Sequence, residues 1–436
     1  MFNKILEFSR NKTAYLYENS LFLQNIDKFI LLFIWLTYIG STFMQSDSIG
    51  FFAIIVIFLT VLKLITQKGE SITLNKFELW LIAYFMIVVI SLFGSTLFSL
   101  SLKGFFKTFL YIGFYFSIAQ YLKAKTTHIK WILLPICLCA SIEIISGFMQ
   151  SFLQLGEIST WQDTSSINPE DVISRVYGTL KPYNPNLFGG YLVSVFPAIL
   201  GSVFAFTINK HYKSAFFALG FCILGCYTIF QTGCRGAYLA LILILGTAFI
   251  ISAKFLWKKY KKIYLTFLSG MVCLFVFVLI FINSIRHRFL SIFAMRGDSS
   301  NSFRFNVYHS SLDMFKDNWL LGIGVGNKNF REIYGLYMKT GFDALSAYNI
   351  FLETAVESGI FALLAFLGFL ISLSLSAIKF IFSSKDYNKI IFAAIAIIAI
   401  WAVMFHGLVD TIYFRPQLQF IFWSYVAIIS ALTSKN

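Results

Sequence analysis

Two arginines are the first residues in this sequence that indicate a binding site. Arg235 lies between Gly233 and Gly236 in a tight turn, and Arg304 lies in the predicted first turn of a helix. A guanidinium group presents a rigid fork of N–H donors that matches two oxygens of a phosphate or carboxylate. The two arginines therefore indicate an anion site, with interfacial snorkelling and loop solvation as the alternatives.

Four further residues are candidate anion ligands. Arg175 precedes a proline-containing segment, and Asn186 is predicted to cap the helix that follows it. A helix N-terminus favours an anion, although an ordinary transition from loop to span explains the same pattern. Lys103 and Lys107, four residues apart at the start of a predicted span, either hold an anionic group or anchor the interface.

Acid–base chemistry has its own candidates. Glu353 and Glu357 share one face of a predicted span, and His406 and Asp410 share one face of the next. Ionisable residues inside a membrane are functional candidates by default, although many pair within the bundle. His309 lies outside the predicted spans, on a surface helix. We include Glu353, Glu357 and His309 as candidate catalytic residues.

The segment around Arg304 is predicted to be an amphipathic helix at the membrane face. Its predicted apolar face consists of Phe305, Tyr308, Leu312 and Phe315. The glycine run that follows, at residues 322–326, lacks the Lys-Ser/Thr pair of a phosphate-binding loop. That run predicts a tight backbone turn.

The composition indicates that membrane-spanning helices position these side chains. The chain has 436 residues, of which 58% are hydrophobic and 13% charged, with a mean hydropathy of +0.76. A soluble domain would carry about a quarter charged residues, and apolar runs of about 20 residues recur along the chain. The sequence predicts an all-α polytopic membrane protein with a single membrane domain, 1–436. We predict about twelve spans, near 27–45, 49–66, 77–97, 104–122, 130–150, 186–207, 214–232, 236–253, 264–283, 347–378, 389–410 and 416–433.

Lysine and arginine predict the orientation. With a cytoplasmic N-terminus, 1–26, and the loops 151–185 and 284–346 outside, 20 of the 26 lysines are inner and eight of the nine arginines are outer. The lysine bias follows the positive-inside rule for the inner (plasma) membrane, with both termini cytoplasmic. Topology alone would not separate the two residue types, so the outer arginines again favour an anion site.

Several ligand classes are not expected. The net charge of +15 lies in loops between spans, which argues for a lipid bilayer as partner and against nucleic acid. The six cysteines show no metal-binding spacing, so we expect no metal and no cofactor.

From about residue 177 to 412 the chain resembles the O-antigen ligase/polymerase superfamily. Within it, the chain is most similar to the branch described as inorganic-carbon (bicarbonate) transporters. The residues that carry the resemblance are Tyr177-Gly178-Thr179-Leu180, Asn184 to Tyr191, Thr232-Gly233-Cys234-Arg235-Gly236, Arg304-Phe305-Asn306, Trp319 to Asn327 and Leu345-Ser346-Ala347-Tyr348.

The resemblance implies a metal-independent glycosyltransferase of lipopolysaccharide or other polysaccharide biosynthesis. Such enzymes transfer a glycan from an undecaprenyl-pyrophosphate carrier to a glycan or lipid acceptor, and Arg235 and Arg304 match their pyrophosphate-binding arginines. The alternatives are a transporter of bicarbonate or another small anion and a non-catalytic envelope protein.

One position departs from the family pattern. Where the ligases carry a histidine that activates the acceptor hydroxyl, this chain carries Tyr348, between Ala347 and Asn349. A tyrosine of ordinary pKa, about 10, is a poor general base at neutral pH. Either Glu353, Glu357 or His309 takes that role, or the chain binds a lipid-linked sugar differently, or it is not a transferase. Tyr348 is kept as a candidate catalytic residue beside these three.

Overall fold

A computed structural model describes residues 2–67, 72–155, 175–281, 286, 290 and 299–434. Arg288 and Arg296, two of the eight arginines predicted to be outer, lie outside the described residues. Within them the chain is all-helical, which confirms the predicted fold class. The main helices are α1 Phe2–Asn19, α2 Leu21–Gln24, α3 Ile26–Phe43, α4 Ser46–Thr66, α5 Lys76–Gly94, α6 Phe98–Ala124, α7 Ile129–Phe152, α8 Pro185–Ile208, α9 Tyr212–Gln231, α10 Arg235–Phe281, α11 Ser299–Asp317, α12 Asn327–Tyr334, α13 Ile350–Ser383, α14 Tyr387–His406 and α15 Pro416–Thr433.

Nine helices in the described part are long and apolar enough to cross a membrane. They are Ile26–Phe43, Ser48–Thr66, Lys76–Gly94, Thr126–Phe152, Pro185–Ile208, Tyr212–Gln231, Arg235–Trp257, Ile350–Ser383 and Tyr387–His406. The other three predicted spans coincide with α6, with the part of α10 beyond its kink at Tyr260, and with α15. The count of twelve stays a prediction.

Helix α15 lies at the centre of the bundle. All of its residues from 417 to 432 are buried, and several of its polar side chains bond inside the protein. Tyr38 Oη donates to Ser424 Oγ at 2.6 Å, and Trp423 Nε1 donates to Gln419 Oε1 at 2.7 Å. Such bonds supply specificity where lipid removes much of the hydrophobic drive for helix association. Its enclosure also explains why α15 is less apolar than the nine helices.

The two ends of the bundle differ in chemistry. One end, which we call the lysine end, holds Asp27 against Lys63 and Lys125 at 3.0 and 2.6 Å, and Glu78 against Lys123 at 3.1 Å. The other, which we call the site end, consists of the segments 175–186, 231–237, 345–353 and 406–416. The lysine end therefore carries ion pairs that link neighbouring helices, and the pair of Lys123 with Glu78 is the most buried of them.

Residues 299–349 pack over the site end around a small apolar core of their own. The core contains Val307, Met314, Phe330, Tyr334 and Ala347, all buried. The predicted apolar face of α11 is therefore wrong, because Leu312 is exposed and Val307 and Met314 face inward. The residues that cover Val307 and Met314 lie between 323 and 356. The spacing of residues within α11 does not show which of its faces they cover.

The glycine run forms a backbone turn, as its sequence predicts. Gly322, Gly324 and Gly326 all have positive φ. The turn lies along α13, where Ile323 N donates to Val356 O at 2.9 Å. The same helix is kinked at Gly359, whose φ is 81°. A side chain at Gly359 would collide with the backbone at Leu320. The turn and α13 therefore both depend on glycine where they meet.

Candidate functional site

Arg175 joins two elements of the site end. Its Nε donates to Thr232 O at 2.7 Å, and its Nη2 donates to Asn186 Oδ1 at 2.5 Å. The predicted capping role of Asn186 is wrong, because Asn184 Oδ1 accepts from the amides of Asn186 and Leu187. Asn186, one residue inside α8, serves instead as an acceptor for Arg175.

The turn before α10 contains a thiol–imidazole contact. Cys234 Sγ lies 3.2 Å from His406 Nε2, and both side chains are buried. Burial raises the pKa of the Cys234 thiol, His406 and Arg175 lower it, and the net direction is downward. A side chain on Gly236 would lie 3.2 Å from His406 Nε2. The glycine beside Arg235 is therefore explained by packing against α14.

Arg235 is the first residue of α10 and is half-buried. Because it directly follows Cys234, its backbone position is fixed by the contact with His406. The Cβ of Cys234 also packs closely on Gly189 of α8, where a side chain would lie 2.9 Å away. The start of α10 is thus held between α8 and α14.

Arg304 lies in the second turn of α11, one turn before Tyr308, and its side chain is half-buried. Tyr308 Oη donates to Tyr348 O at 3.2 Å and to Leu408 O at 3.3 Å. Burial raises the pKa of Tyr308, and the positive charge of Arg304 opposes that rise. α11 therefore brings Arg304 to the junction of the segments 345–353 and 406–416.

Asp410 acts on the same group of residues as Arg304. Burial raises the pKa of Tyr348 to about 12, the Asp410 carboxylate adds to the rise, and Arg304 opposes it. Asp410 also adds to the rise in the pKa of Tyr308. Its Oδ1 accepts from Thr411 N at 2.7 Å, and the residue is only 6% exposed. Arg304, Asp410 and the two tyrosines thus form one electrostatic cluster.

Tyr348 has an unusual backbone conformation. Its φ is 51°, in the left-handed region that few residues other than glycine, asparagine and aspartate adopt. The conformation is held on both sides, since Ala347 N donates to Glu353 Oε2 at 3.3 Å and Asn349 Nδ2 donates to Leu408 O at 3.1 Å. With a pKa of about 12 the phenol is neutral at pH 7, so it can donate a hydrogen bond but is a poor base.

The two candidate glutamates of α13 bind backbone. Glu353 accepts from Ala347 N, and Glu357 Oε1 accepts from Gly326 N at 2.8 Å. Both glutamates are buried. They hold the chain on either side of α12 against α13, which is a structural task, and their acid–base role stays a prediction.

The remaining candidates are exposed. His309 lies on the outer face of α11, and Asp313, four residues on, pairs with Lys316 at 2.8 Å. That lysine lowers the pKa of Asp313. Lys103 and Lys107 are exposed on α6. The structure brings Arg175, Asn186, Arg235, Arg304 and Tyr348 to the site end without His309.

Sequence reasoning did not single out Tyr308 or Cys234 as site residues, and it singled out Asp410 only together with His406. The four-residue spacing of His406 and Asp410 was the only signal for Asp410, and it does not show the approach of Arg304. The spacing of Arg304 and Tyr308 places them on one helical face, which is a usable signal.

Comparison with known proteins gives one match. A family model described as O-Antigen ligase matches residues 220–367. The matched region contains Arg235, Arg304 and Tyr348, while Arg175 and Asp410 lie outside it. A comparison with curated proteins gives no match. Over residues 220–367 the chain is similar to the O-antigen ligases, which supports that superfamily, and neither comparison supports the inorganic-carbon branch.

Proposed function

We propose that this membrane protein is a glycosyltransferase of the O-antigen ligase/polymerase type. It moves a glycan from a polyprenyl-pyrophosphate carrier to a glycan or lipid acceptor at the outer face of the inner membrane. The observation that carries the proposal is the junction at which Tyr308 Oη donates to Tyr348 O and Leu408 O, with Arg304 one helical turn before Tyr308 and Asp410 two residues after Leu408. Arg235 begins the helix next to this cluster, since its neighbour Cys234 contacts His406.

The arginines bind the leaving group. The pyrophosphate of the donor lies against Arg235 and Arg304, with Arg175 close to the turn that carries Arg235. When the bond between the anomeric carbon and the pyrophosphate oxygen breaks, its electron pair leaves with the polyprenyl pyrophosphate. Guanidinium groups held in place before the reaction stabilise the negative charge that develops there.

Asp410 receives the proton. The acceptor hydroxyl oxygen forms the new bond to the anomeric carbon, and its proton passes to the Asp410 carboxylate. Asp410 suits this task because it is held among charged and phenolic groups and is largely shielded from water. Tyr348 stays protonated and donates a hydrogen bond to donor or acceptor, so it does not replace the family histidine as base.

The location of the cluster favours transfer over transport. Arg235 begins α10, Tyr348 directly precedes α13 and Asp410 follows α14, so all three lie at helix ends. A transport site is expected near the middle of the bilayer. Lysines at the opposite end of the bundle agree with the proposed orientation, in which that end and both termini are cytoplasmic.

The test compares a deletion strain carrying either the wild-type gene or Arg304→Lys. We expect the variant to be present at the wild-type level, to lose surface glycan and to accumulate lipid-linked glycan. Lysine keeps the positive charge but cannot make the bidentate contact of a guanidinium with phosphate. The substitution therefore tests that contact and not the charge alone. Normal surface glycan together with impaired uptake of bicarbonate would overturn the proposal in favour of anion transport.

A further inference from the structure

Gln150, near the end of the membrane-spanning part of α7, binds the backbone of the segment that follows Arg175. Its Oε1 accepts from Tyr177 N at 3.1 Å and from Gly178 N at 2.9 Å. Its Nε2 donates to Gly178 O at 2.9 Å. The side-chain amide of Gln150 therefore makes three hydrogen bonds to the backbone of two consecutive residues, Tyr177 and Gly178.

Glu143 continues the same contact two turns earlier on α7. It accepts from Thr179 N at 3.0 Å and from the hydroxyl of Thr179. The side chain is fully buried within a helix that is apolar enough to span the membrane. Gly178 has a φ of 65°, and a side chain there would collide with Glu143 and Phe188. Gln150 and Glu143, which we call the clamp, therefore hold the segment 177–179 in one register on α7.

This register determines where Arg175 lies. Val176 N donates to Gln231 O at 3.1 Å, so the chain immediately before the clamped segment pairs with the end of α9. Arg175 then reaches Thr232 O and Asn186 Oδ1. The clamp on α7 is thus connected, through Arg175, to the turn that leads into Arg235.

We propose that Gln150 and Glu143 are positioning residues for the anion site. They hold Arg175 in place and, through Arg175 and Thr232, fix the turn that presents Arg235 to the pyrophosphate of the donor. This inference rests on the proposed function, because it assigns the clamp to donor binding. Neither side chain touches the donor.

The experiment uses purified full-length protein with inorganic pyrophosphate as the probe. Gln150→Ala should weaken pyrophosphate binding by about tenfold, because it leaves two buried amides without an acceptor. Gln150→Glu keeps the acceptor for both amides and should retain affinity within about threefold of wild type. In turnover of a lipid-linked glycan, Gln150→Ala should lower kcat/KM by at least a similar factor, because the arginines also stabilise the charge on the leaving pyrophosphate.

Glu78→Gln is the matched control for Glu143→Gln. Both change a buried glutamate, but Glu78 pairs with Lys123 at the lysine end. We expect Glu143→Gln to raise KM and Glu78→Gln to leave KM unchanged in the folded protein. Amide hydrogen exchange at residues 177–179 should quicken in Gln150→Ala and Glu143→Gln and stay unchanged in Glu78→Gln.

The outcomes separate the two proposals. Faster exchange at residues 177–179 with unchanged pyrophosphate affinity would overturn the positioning role and leave the proposed function intact. An equal rise of KM in Glu78→Gln would also overturn it, by showing a general loss of structure. A wild-type protein that neither binds pyrophosphate nor turns over the donor would overturn the proposed function, and the positioning role with it.

Discussion

At the lysine end of the bundle, cations lie against carboxylates, whereas at the site end Arg175 donates to neutral oxygens. Lys123 meets Glu78, and Lys63 and Lys125 share Asp27. Arg175, in contrast, bonds the carbonyl of Thr232 and the side-chain oxygen of Asn186. The first arrangement pairs opposite charges, and the second orients a cation through neutral acceptors.

We interpret this difference as one between a structural role at the lysine end and the proposed binding role at the site end. A buried ion pair costs desolvation on both sides and serves mainly to fix which helices meet. A guanidinium fork matches two phosphate oxygens, which is why the proposed function assigns the anion to the site end. The carboxylate that acts on both Tyr308 and Tyr348, Asp410, gives the site end a proton acceptor as well.

Asp410→Asn should produce the largest effect on turnover. Loss of a general base costs about 10²- to 10⁴-fold in kcat. Donor affinity should be equal or tighter, because the change removes a negative charge near the bound pyrophosphate. Steady-state kinetics with the purified protein measure both. Asp313→Asn, at an exposed carboxylate paired with Lys316, is the control and should change neither. Weaker donor binding with normal kcat would assign Asp410 to binding instead of proton transfer.

Lys123→Met tests the other end and should act on stability. Removal of the lysine leaves the Glu78 carboxylate buried without its cation, which costs about 3 kcal/mol of unfolding free energy. Thermal unfolding in detergent should detect this loss, and the folded fraction should keep its kcat. Adding Glu78→Gln should recover part of the stability. A loss of kcat without a change in stability would show that the lysine end takes part in catalysis.

Tyr348→Phe should have a smaller effect, below about tenfold, because one hydrogen bond from a neutral donor is lost. With a pKa of about 12, the phenol is protonated throughout pH 7 to 9, so the wild-type rate should show no rise from its ionisation in that range. A tyrosinate base would instead give a rate that climbs about tenfold per pH unit toward that pKa. Such a climb, absent in Tyr348→Phe, would restore Tyr348 as the base.

Lys103→Ala and Lys107→Ala should have the smallest effects, with turnover within about twofold of wild type, since exposed charges are strongly screened. Turnover measured at low and high salt checks this. A tenfold loss that persists at high salt would place the α6 lysines in the donor site.

The helices could be predicted from the sequence because their signal is local. Apolar runs of span length identify α3 to α5 and α7 to α9 without knowledge of their partners. The turn at residues 322–326 is likewise determined by glycines that take positive φ. The face of α11 could not be predicted, because the residues that cover Val307 and Met314 lie far along the chain.

The candidate site was predictable only in its arginines. Their residue type points to an anion wherever they fold, whereas a glutamate is equally suited to capping and to catalysis. Glu357 illustrates the ambiguity, since its acceptor role at Gly326 requires a turn 31 residues earlier in the chain to come back onto α13. The proximity of Arg304 to Asp410 depends on the same long-range packing.

The most direct test of the account is binding of polyprenyl pyrophosphate to purified protein, compared among wild type, Arg235→Lys and Arg304→Lys. Arg331→Lys is the matched control, because Arg331 pairs with Asp343 at the surface at 2.7 Å. We expect wild type and the control to bind alike and each site variant to lose at least about tenfold in affinity, the loss of roughly one charge-assisted hydrogen bond. Equal affinity in all four proteins would contradict the claim that these arginines form a pyrophosphate site.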